Sequence, residues 1–503
     1  MNLVETLQLL SPELILLITG IVVLCVDFIW LDENAHDSSG GKKAIWIPAL
    51  ALVGLAGALV ATLLLWGTPP TTVLALMAVD PYALFFKVIA TVTVMLVILA
   101  AVPYLKERTP YRSEFIALLV FAALAICLAS SGTDLLSIYL GMEFLSITSY
   151  VLAGYLRDDV KSNEAGIKYF LYGAVTSAVM LYGMSLLYGV TGTTNLSMIA
   201  QALVMVPPSV QWLVVASIVM LLAGFAFKIV LAPFHQWAPD AYEGAPTPIT
   251  AFLSVGSKAA GFAILMRVFM TALPAFRWDL GWMAFLIALS IISMALGNLI
   301  ALRQTNIKRM LAYSSIGHAG YIMIGFVCLT LNVESAFLGM NGTLFYLFAY
   351  LFTNMAVFSA VIAFESATGS TEIADMRGLV KRAPVLAGAM LIGLLSLAGI
   401  PGTAGFLGKL LVFGSAIQFD TAQTLTMAIV GVVASVIGAF YYLNVVRYMF
   451  FEAPDAEAGP VPVAAGAKVG LVLAALAILV VGLYPQPFIE FASDSMQAIG
   501  FLF

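Results

Sequence analysis

Apolar runs of about 20 residues, the length that carries a helix across a ~30 Å hydrocarbon core, follow one another along almost the whole chain. Short stretches holding the Gly, Pro, Asn and Asp residues separate them. The pattern predicts fourteen helices, over 13–30, 46–66, 81–103, 113–130, 134–156, 165–189, 211–236, 246–270, 281–301, 307–330, 337–364, 386–418, 423–450 and 467–485. The alternating pattern of an outer-membrane barrel, in segments of about ten residues, is absent. No soluble domain fits between the runs. The longest connections, 31–45 and 451–466, are small charged or Ala/Pro-rich loops. The first run has neither a basic leader nor a small-residue cleavage site, so it is expected to be a span rather than a removable signal.

Two runs carry helix breakers. Segment 386–418 is too long for one straight span and holds Gly399-Ile400-Pro401-Gly402 near its middle. Segment 211–236 holds Gly224 and then Leu231-Ala232-Pro233. Proline removes a backbone donor and clashes with the preceding turn. Within a membrane such breaks persist only where the freed backbone meets protein or a wet cavity. The two interrupted spans are five apart in order and so cross in opposite directions. That spacing points to two inverted five-helix repeats, spans 4–8 and 9–13, the arrangement in which paired broken helices mark a transport site. The expected organisation is an N-terminal unit at 1–112, repeats at 113–270 and 271–450, and a final span with a tail at 451–503. The two repeats share no obvious sequence identity.

The basic residues sort by side. With loops numbered alternately from the N-terminus, one side receives Lys42, Lys43, Lys106, Arg108, Arg112, Arg157, Lys161, Lys168, Arg303, Lys308, Arg309, Arg377, Lys381, Arg382, Arg447 and Lys468. The other receives only Arg267 and Arg277. A miscounted span would scramble this partition. The basic side is expected to be the cytoplasm, with both termini on the opposite, periplasmic side of a bacterial plasma (inner) membrane.

Composition agrees with an all-α polytopic membrane protein: 62% of residues are hydrophobic and only 10% charged, against about 25% charged in soluble domains. The net charge of −5 gives no reason to expect nucleic acid. Cys25, Cys127 and Cys328 stand singly in apolar runs, without the spacing of an iron–sulfur or zinc site. No P-loop, Rossmann fingerprint or nucleophile elbow is present, so no nucleotide site or electron carrier is expected on this chain. Any energy source is then an ion gradient or a partner protein.

Lys87, Lys228, Lys258 and Lys409 are the basic residues left within the spans, and Glu143 lies deep inside another. Lys87 lies near an end and reads as a snorkelling residue. Glu143, Lys228, Lys258 and Lys409 lie deeper, where a charge costs about 2.5–3.5 kcal/mol on insertion scales. Glu143, in Leu140-Gly-Met-Glu-Phe-Leu-Ser146, reads as a buried acid needing a cation, with Lys228 the candidate, or as a neutral acid bonded to a nearby serine or carbonyl. The rarity of unpaired mid-span glutamates favours the first. Lys258 sits too far from either end of its span to snorkel, among small residues that leave room for water. Burial disfavours the charged form of a lysine, the property a proton relay needs. Lys228 and Lys409 each lie close to a helix break, and read as relay groups or as local partners for carbonyls that the break frees. His318, near Tyr313, Ser314 and Ser315, reads equally as a hydrogen-bonded core residue or as part of a proton wire. Lys308 and Arg309 read as topology anchors with a weaker claim to function, His235 as an interfacial cap or a group open to the basic side, and Asp134 as an N-terminal helix charge.

Several stretches together carry a resemblance. They are Ser11-Pro-Glu-Leu-Ile-Leu, the 135–150 stretch around Glu143, Ser162-Asn-Glu-Ala-Gly-Ile-Lys-Tyr-Phe170, Asn306-Ile-Lys-Arg-Met-Leu-Ala-Tyr-Ser-Ser-Ile-Gly-His318 and Gly399-Ile-Pro-Gly-Thr-Ala-Gly-Phe406. The most specific is Phe227-Lys-Ile-Val-Leu-Ala-Pro-Phe-His-Gln-Trp-Ala-Pro-Asp-Ala-Tyr-Glu-Gly-Ala-Pro-Thr-Pro248. Over most of its length the chain resembles the antiporter-like membrane subunits of proton-pumping NADH–quinone oxidoreductase, respiratory complex I, in the branch called subunit N or subunit 2. The wider family includes membrane-bound hydrogenases and multisubunit sodium/proton antiporters.

The resemblance implies a glutamate–lysine pair at Glu143 and Lys228, a central lysine at Lys258 and an exit lysine at Lys409. It also implies neighbouring antiporter-like and small membrane-arm subunits as partners. NADH, FMN, iron–sulfur clusters and quinone would belong to other subunits, with no redox catalysis on this chain. The expected function is proton translocation from cytoplasm to periplasm, coupled to electron transfer elsewhere. A sodium/proton antiporter subunit, a hydrogenase- or ferredoxin-linked complex, and a simple scaffold are the alternatives. Nothing in the residues names the electron donor, the quinone type or bound lipids.

Overall fold

A computed structural model describes residues 2–30, 43–273, 280–329, 333–419, 421–454 and 458–497. Helices account for nearly all of it. The first are α1 (Leu3–Leu9), α2 (Ser11–Trp30), α3 (Lys43–Leu64), α4 (Pro81–Leu105), α5 (Arg112–Ser131), α6 (Leu135–Ala153) and α7 (Val160–Thr191). Then come α8 (Leu196–Val204), α9 (Gln211–Ile229), α10 (Trp237–Gly244), α11 (Thr247–Phe252), α12 (Lys258–Thr271), α13 (Leu280–Ala301) and α14 (Ile307–Leu329). The last are α15 (Val333–Thr368), α16 (Leu379–Arg382), α17 (Pro384–Ala398), α18 (Ala404–Gln418), α19 (Ala422–Phe451), α20 (Ala465–Leu483) and α21 (Gln486–Gln497). Among the described residues twelve helices are long and apolar enough to cross a membrane, or thirteen if the bent pair α1–α2 counts as one span. The chain is a multi-pass membrane protein. Arg277, Lys42 and most of the 31–45 loop lie outside the described residues.

Polar residues set the helix starts. Asp80 caps α4 ahead of Pro81, Asp159 caps α7 and Asn195 caps α8. Asp134 caps α6 by accepting from the backbone N–H of Leu136 at 2.8 Å, in keeping with its reading as an N-terminal charge.

The structure adds one element to this reading and refines three runs. The all-helical reading omits a small antiparallel hairpin, β1 (Thr71–Val73) with β2 (Met77–Val79). Its turn residues Leu74 and Ala75 take positive φ of 55° and 57° without the Asn-Gly signature that such turns favour, so the sequence carries no mark of it. The break expected in 211–236 falls ahead of its proline: α9 stops at Ile229, the backbone turns through Val230 at φ 65°, and α10 is a separate short helix. The run 246–270 is one continuous span, Thr247–Thr271, and a π turn at Leu253–Ser257 widens it just before Lys258. By contrast, 386–418 breaks where its glycines stand, into α17 and α18 of 15 residues each.

Burial orders the bundle. The span that includes α11 and α12 is 100% buried within the protein, and those of α14 and α15 are 94% buried, whereas the α3 span is 22% buried. The centre is therefore a helix surrounded by protein on every side, and it carries Lys258.

Two interior ion pairs were not read as such. Lys87 is fully buried and lies 2.6 Å from Glu13 of α2, so it is not a snorkelling residue. Arg267 is fully buried, not a loop anchor. It meets both carboxylate oxygens of Asp80 at 2.8 and 3.0 Å and the carbonyl of Ser130 at 3.0 Å. Distance from a span end says nothing about which face a side chain occupies, and these faces turn inward.

Candidate functional site

Both helix breaks are internally satisfied, as a break within a membrane requires. At the end of α9 the Ala232 N–H donates to Ser293 Oγ of α13 at 2.9 Å, and the Trp237 indole N–H donates to the Phe227 carbonyl at 3.2 Å. Lys228 is thus spared from capping its own helix. Its ammonium instead reaches α6 and donates to Ser146 Oγ at 2.9 Å. At the second break Lys409 does the capping itself, donating to the carbonyls of Leu397 and Ala398 at 2.8 and 3.0 Å. The two broken-helix lysines therefore differ in their surroundings.

Glu143 and Lys228 do not form an ion pair. Glu143 is half-buried on α6 and accepts from Ser177 of α7, while Lys228 holds Ser146, one turn further along α6. The pairing expected from the sequence is replaced by two serine contacts on adjacent turns. The helix that faces Lys228 is α12: a Cβ on Gly261 would come within 3.2 Å of Lys228 Cγ. Gly261 stands one turn from Lys258, so a glycine at that crossing lets α9 and α12 close together.

Lys258 is fully buried. Its ammonium donates to the carbonyl and the hydroxyl of Ser315 on α14, at 2.6 and 2.5 Å, and lies 5.2 Å from the centre of the Tyr350 ring. Tyr350 also donates to Ser315 Oγ at 3.2 Å. One turn along α14 stands His318. Its Nδ1 lies 2.8 Å from the Tyr346 hydroxyl of α15, and its Nε2 lies 3.1 Å from the Tyr442 hydroxyl of α19. Ser314 meets the same Tyr442 hydroxyl at 2.5 Å. One more turn along, Tyr321 packs edge-on against His318 and lies 5.1 Å under the Lys409 ammonium. From Lys258 the buried groups follow one another through Ser315, His318 and the tyrosines towards Lys409, with the Lys228 stem packed against α12 one turn from Lys258. Hydroxyls and an imidazole accept and donate at once, so such a row can pass a proton.

Of the residues near His318, Ser314 and Ser315 join the row. Tyr313 is only half-buried and takes no part in it. Ser146, Ser177, Tyr346, Tyr350 and Tyr442 were missed, and only the Tyr346/Tyr350 spacing of one helical turn hinted at them. Lys308 is buried and donates to the Ala245 carbonyl at 2.7 Å, so it is not a surface anchor. His235 lies apart from the row, between α9 and α10. Burial pushes its imidazole pKa down, and a backbone contact at Pro233 offsets this in part.

The side bearing the basic loops is tied by α10. Asp240 meets Lys168 at 2.6 Å and Arg309 at 2.8 Å, and Glu243 meets Arg309 at 3.0 Å and Lys161 at 3.2 Å. Burial works against both carboxylates. The hydrogen bonds from Lys168 and Arg309 to Asp240, and from Arg309 and Lys161 to Glu243, outweigh it and hold both below the usual carboxylate range. These basic residues were read as topology anchors and also clamp α10 to α7 and α14.

Gly399 illustrates how tightly the Lys409 end is built. Its φ is +85°, and a Cβ there would lie 3.0 Å from Lys409 Cδ. Gly399→Ala should cost about 1–2 kcal/mol from the left-handed backbone alone and displace Lys409. Gly388→Ala, with open space around it, should cost nothing. Thermal unfolding of the two variants checks the contrast.

Among the described residues no group of three or more His, Cys, Asp or Glu is placed to hold a metal ion. The cysteines are free, Cys25 exposed, Cys127 and Cys328 buried.

Comparison with known proteins places this geometry. The profile of the family described as NADH:quinone oxidoreductase/Mrp antiporter, TM, matches residues 132–438. The NADH-quinone oxidoreductase subunit N of Heliobacterium modesticaldum is 40% identical over 492 residues, covering 98% of this chain and 99% of that one. The NAD(P)H-quinone oxidoreductase subunit 2 of Gloeobacter violaceus is 41% identical over 498 residues, covering 97% and 92%. A chain of respiratory complex I from Thermus thermophilus with bound aureothin matches with TM-score 0.78 and 31% identity, over 96% of this chain and 99% of that one. The chain belongs to the antiporter-like family of NADH:quinone oxidoreductase membrane subunits, in its subunit N branch.

Proposed function

We propose that this chain translocates protons as a membrane-arm subunit of an NADH–quinone oxidoreductase complex, driven by electron transfer in other subunits. Other membrane-arm subunits are its partners, and NADH, FMN, iron–sulfur clusters and quinone belong elsewhere in the complex. The observation that carries the reading is the row from Lys258 through Ser315 and His318 towards Lys409, whose middle lies in the most deeply buried helices of the bundle.

The finer organisation follows. The chain has fourteen spans: the crossing helices, the bent first span, and α17–α18 as one broken span. Residues 113–270 and 271–450 form two inverted five-helix repeats between an N-terminal unit at 1–112 and a tail at 451–503. The basic side faces the cytoplasm of a bacterial plasma membrane, and both termini face the periplasm.

Glu143 acts on Lys228 through the field across one turn of α6, not by contact. A change in charge near Glu143 alters how firmly Lys228 holds Ser146, and that in turn sets the field at Lys258 across the Gly261 crossing. Lys258 exchanges its proton through Ser315 toward His318. The imidazole, bonded at both nitrogens to tyrosine hydroxyls, passes it on by exchanging tautomers. Lys409 receives it and releases it on the far side. Lys308 supports the start of α14 in this scheme.

A sodium/proton antiporter subunit is the rival. Hard cations take oxygen ligands, whereas the ionisable groups on this row are amines and an imidazole. In sealed vesicles of the intact complex, proton transport should proceed at full rate in sodium-free medium. A requirement for sodium would assign the row to sodium exchange.

A further inference from the structure

Four helices bring their basic-side ends together around Glu365, a residue the row above does not use. Glu365 lies near the end of α15 and is 9% exposed. One carboxylate oxygen accepts from Thr247 Oγ1, at the first residue of α11. The other accepts from the Tyr104 hydroxyl of α4 at 3.3 Å and from Arg108 at 3.4 Å. The Arg108 side chain is 24% exposed, so the cluster reaches the surface of the protein. Lys308, of α14, lies within electrostatic range of the same carboxylate.

Thr247 starts the span that carries Lys258, eleven residues on, or roughly 16 Å at the helical rise. A proton cannot cross that distance in one step, and the structure places polar groups between. One turn beyond Thr247, Thr250 Oγ1 donates to the Tyr242 carbonyl at 2.9 Å. The Tyr242 hydroxyl is fully buried, has no hydrogen-bond partner, and faces Ser315. Ser315 Oγ is the group that holds Lys258. A buried tyrosine hydroxyl without a partner is costly, and one set beside Ser315 is placed to hand a proton to it.

We infer that Glu365 loads protons onto Lys258 from the basic side of the membrane. Its carboxylate takes a proton from bulk water, and the carboxylic acid gives it up toward Thr247. The proton moves through water and the hydroxyls of Tyr242 and Ser315 to the neutral amine of Lys258, and Glu365 is left as the carboxylate. No electrons move and one O–H bond is exchanged for one N–H bond. This rests on the proton-translocation reading above.

The test uses the intact complex in sealed vesicles, measuring electron transfer and proton transport together for Glu365→Gln, Glu365→Asp, Arg108→Gln and Lys258→Met. The expected result is that E365Q loses as many protons per electron as K258M while electron transfer persists, and that E365D and R108Q retain most of them. If K258M is deficient and E365Q is not, loading occurs elsewhere and the inference falls while the translocation reading stands. If neither is deficient, the translocation reading itself falls. If R108Q is as deficient as E365Q, the carboxylate serves as an ion-pair staple between α4 and α15, which overturns the inference. Should E365Q fail to assemble, Thr247→Val replaces it, and parental proton transport in that variant overturns the inference as well.

Discussion

Lys258→Met should leave the complex assembled and able to reduce quinone, and abolish the proton translocation proposed for this chain. Methionine fills a similar volume and removes the ammonium from an apolar, fully buried position. Ser315 keeps its hydroxyl contact with Tyr350 when the ammonium goes. Leaving its carbonyl and hydroxyl short of a donor costs about 1–3 kcal/mol, and relief from burying an amine offsets part of that. The fold therefore survives and the chemistry does not. Lys258→Arg does not rescue it, because a guanidinium does not release its proton in a protein. The readout is protons moved per electron in sealed vesicles, with electron transfer measured in the same sample.

Arg267→Met is expected to cause the largest loss of stability, about 3–5 kcal/mol, the cost of leaving one member of a buried ion pair without the other. Arg267 joins the end of α12 to the start of α4 through both oxygens of Asp80, and to α5 through the Ser130 carbonyl. It also lies 4.8 Å from the centre of the Tyr82 ring, whose hydroxyl donates back to the Ala263 carbonyl of α12 at 2.8 Å. Asp80 keeps its cap on the Ala83 N–H at 2.7 Å but retains an uncompensated charge. Asp80→Asn combined with Arg267→Met removes both charges and keeps a side-chain cap, so the double variant should be more stable than Arg267→Met alone. Thermal unfolding of the four proteins of this cycle measures the coupling between the two residues.

The positions of the buried functional groups were legible in the sequence, and their partners were not. Lys258 stands out because no span end is within reach of its stem. Lys409 stands out beside Gly399 and Gly402, at which the backbone takes φ values of 85° and 87°. The first break was less legible: proline marks it, but the turn falls on Val230, a residue type that resists positive φ. Asp80 and Arg267 are 187 residues apart, and a uniformly apolar helix has no polar stripe to show which face its charges take. The same blindness made Lys87 look like a snorkelling residue and Lys308 like a topology anchor. Glu143 and Lys228 were read as partners because both are buried and opposite in charge. The structure gives each a serine instead, Ser177 of α7 for Glu143 and Ser146 of α6 for Lys228. For His318 both readings survive together: it is a hydrogen-bonded core residue, and its two tyrosine partners are what a proton wire at that position would use.

The central claim is that Lys258 and Lys409 act in series on one path. The direct measurement is the proton-to-electron ratio of the intact complex in sealed vesicles for Lys258→Met, Lys409→Met and the double variant, each scored only where electron transfer persists. A single path predicts the same shortfall in all three. A larger shortfall in the double variant than in either single one would mean that the two lysines serve separate routes, and would contradict the claim.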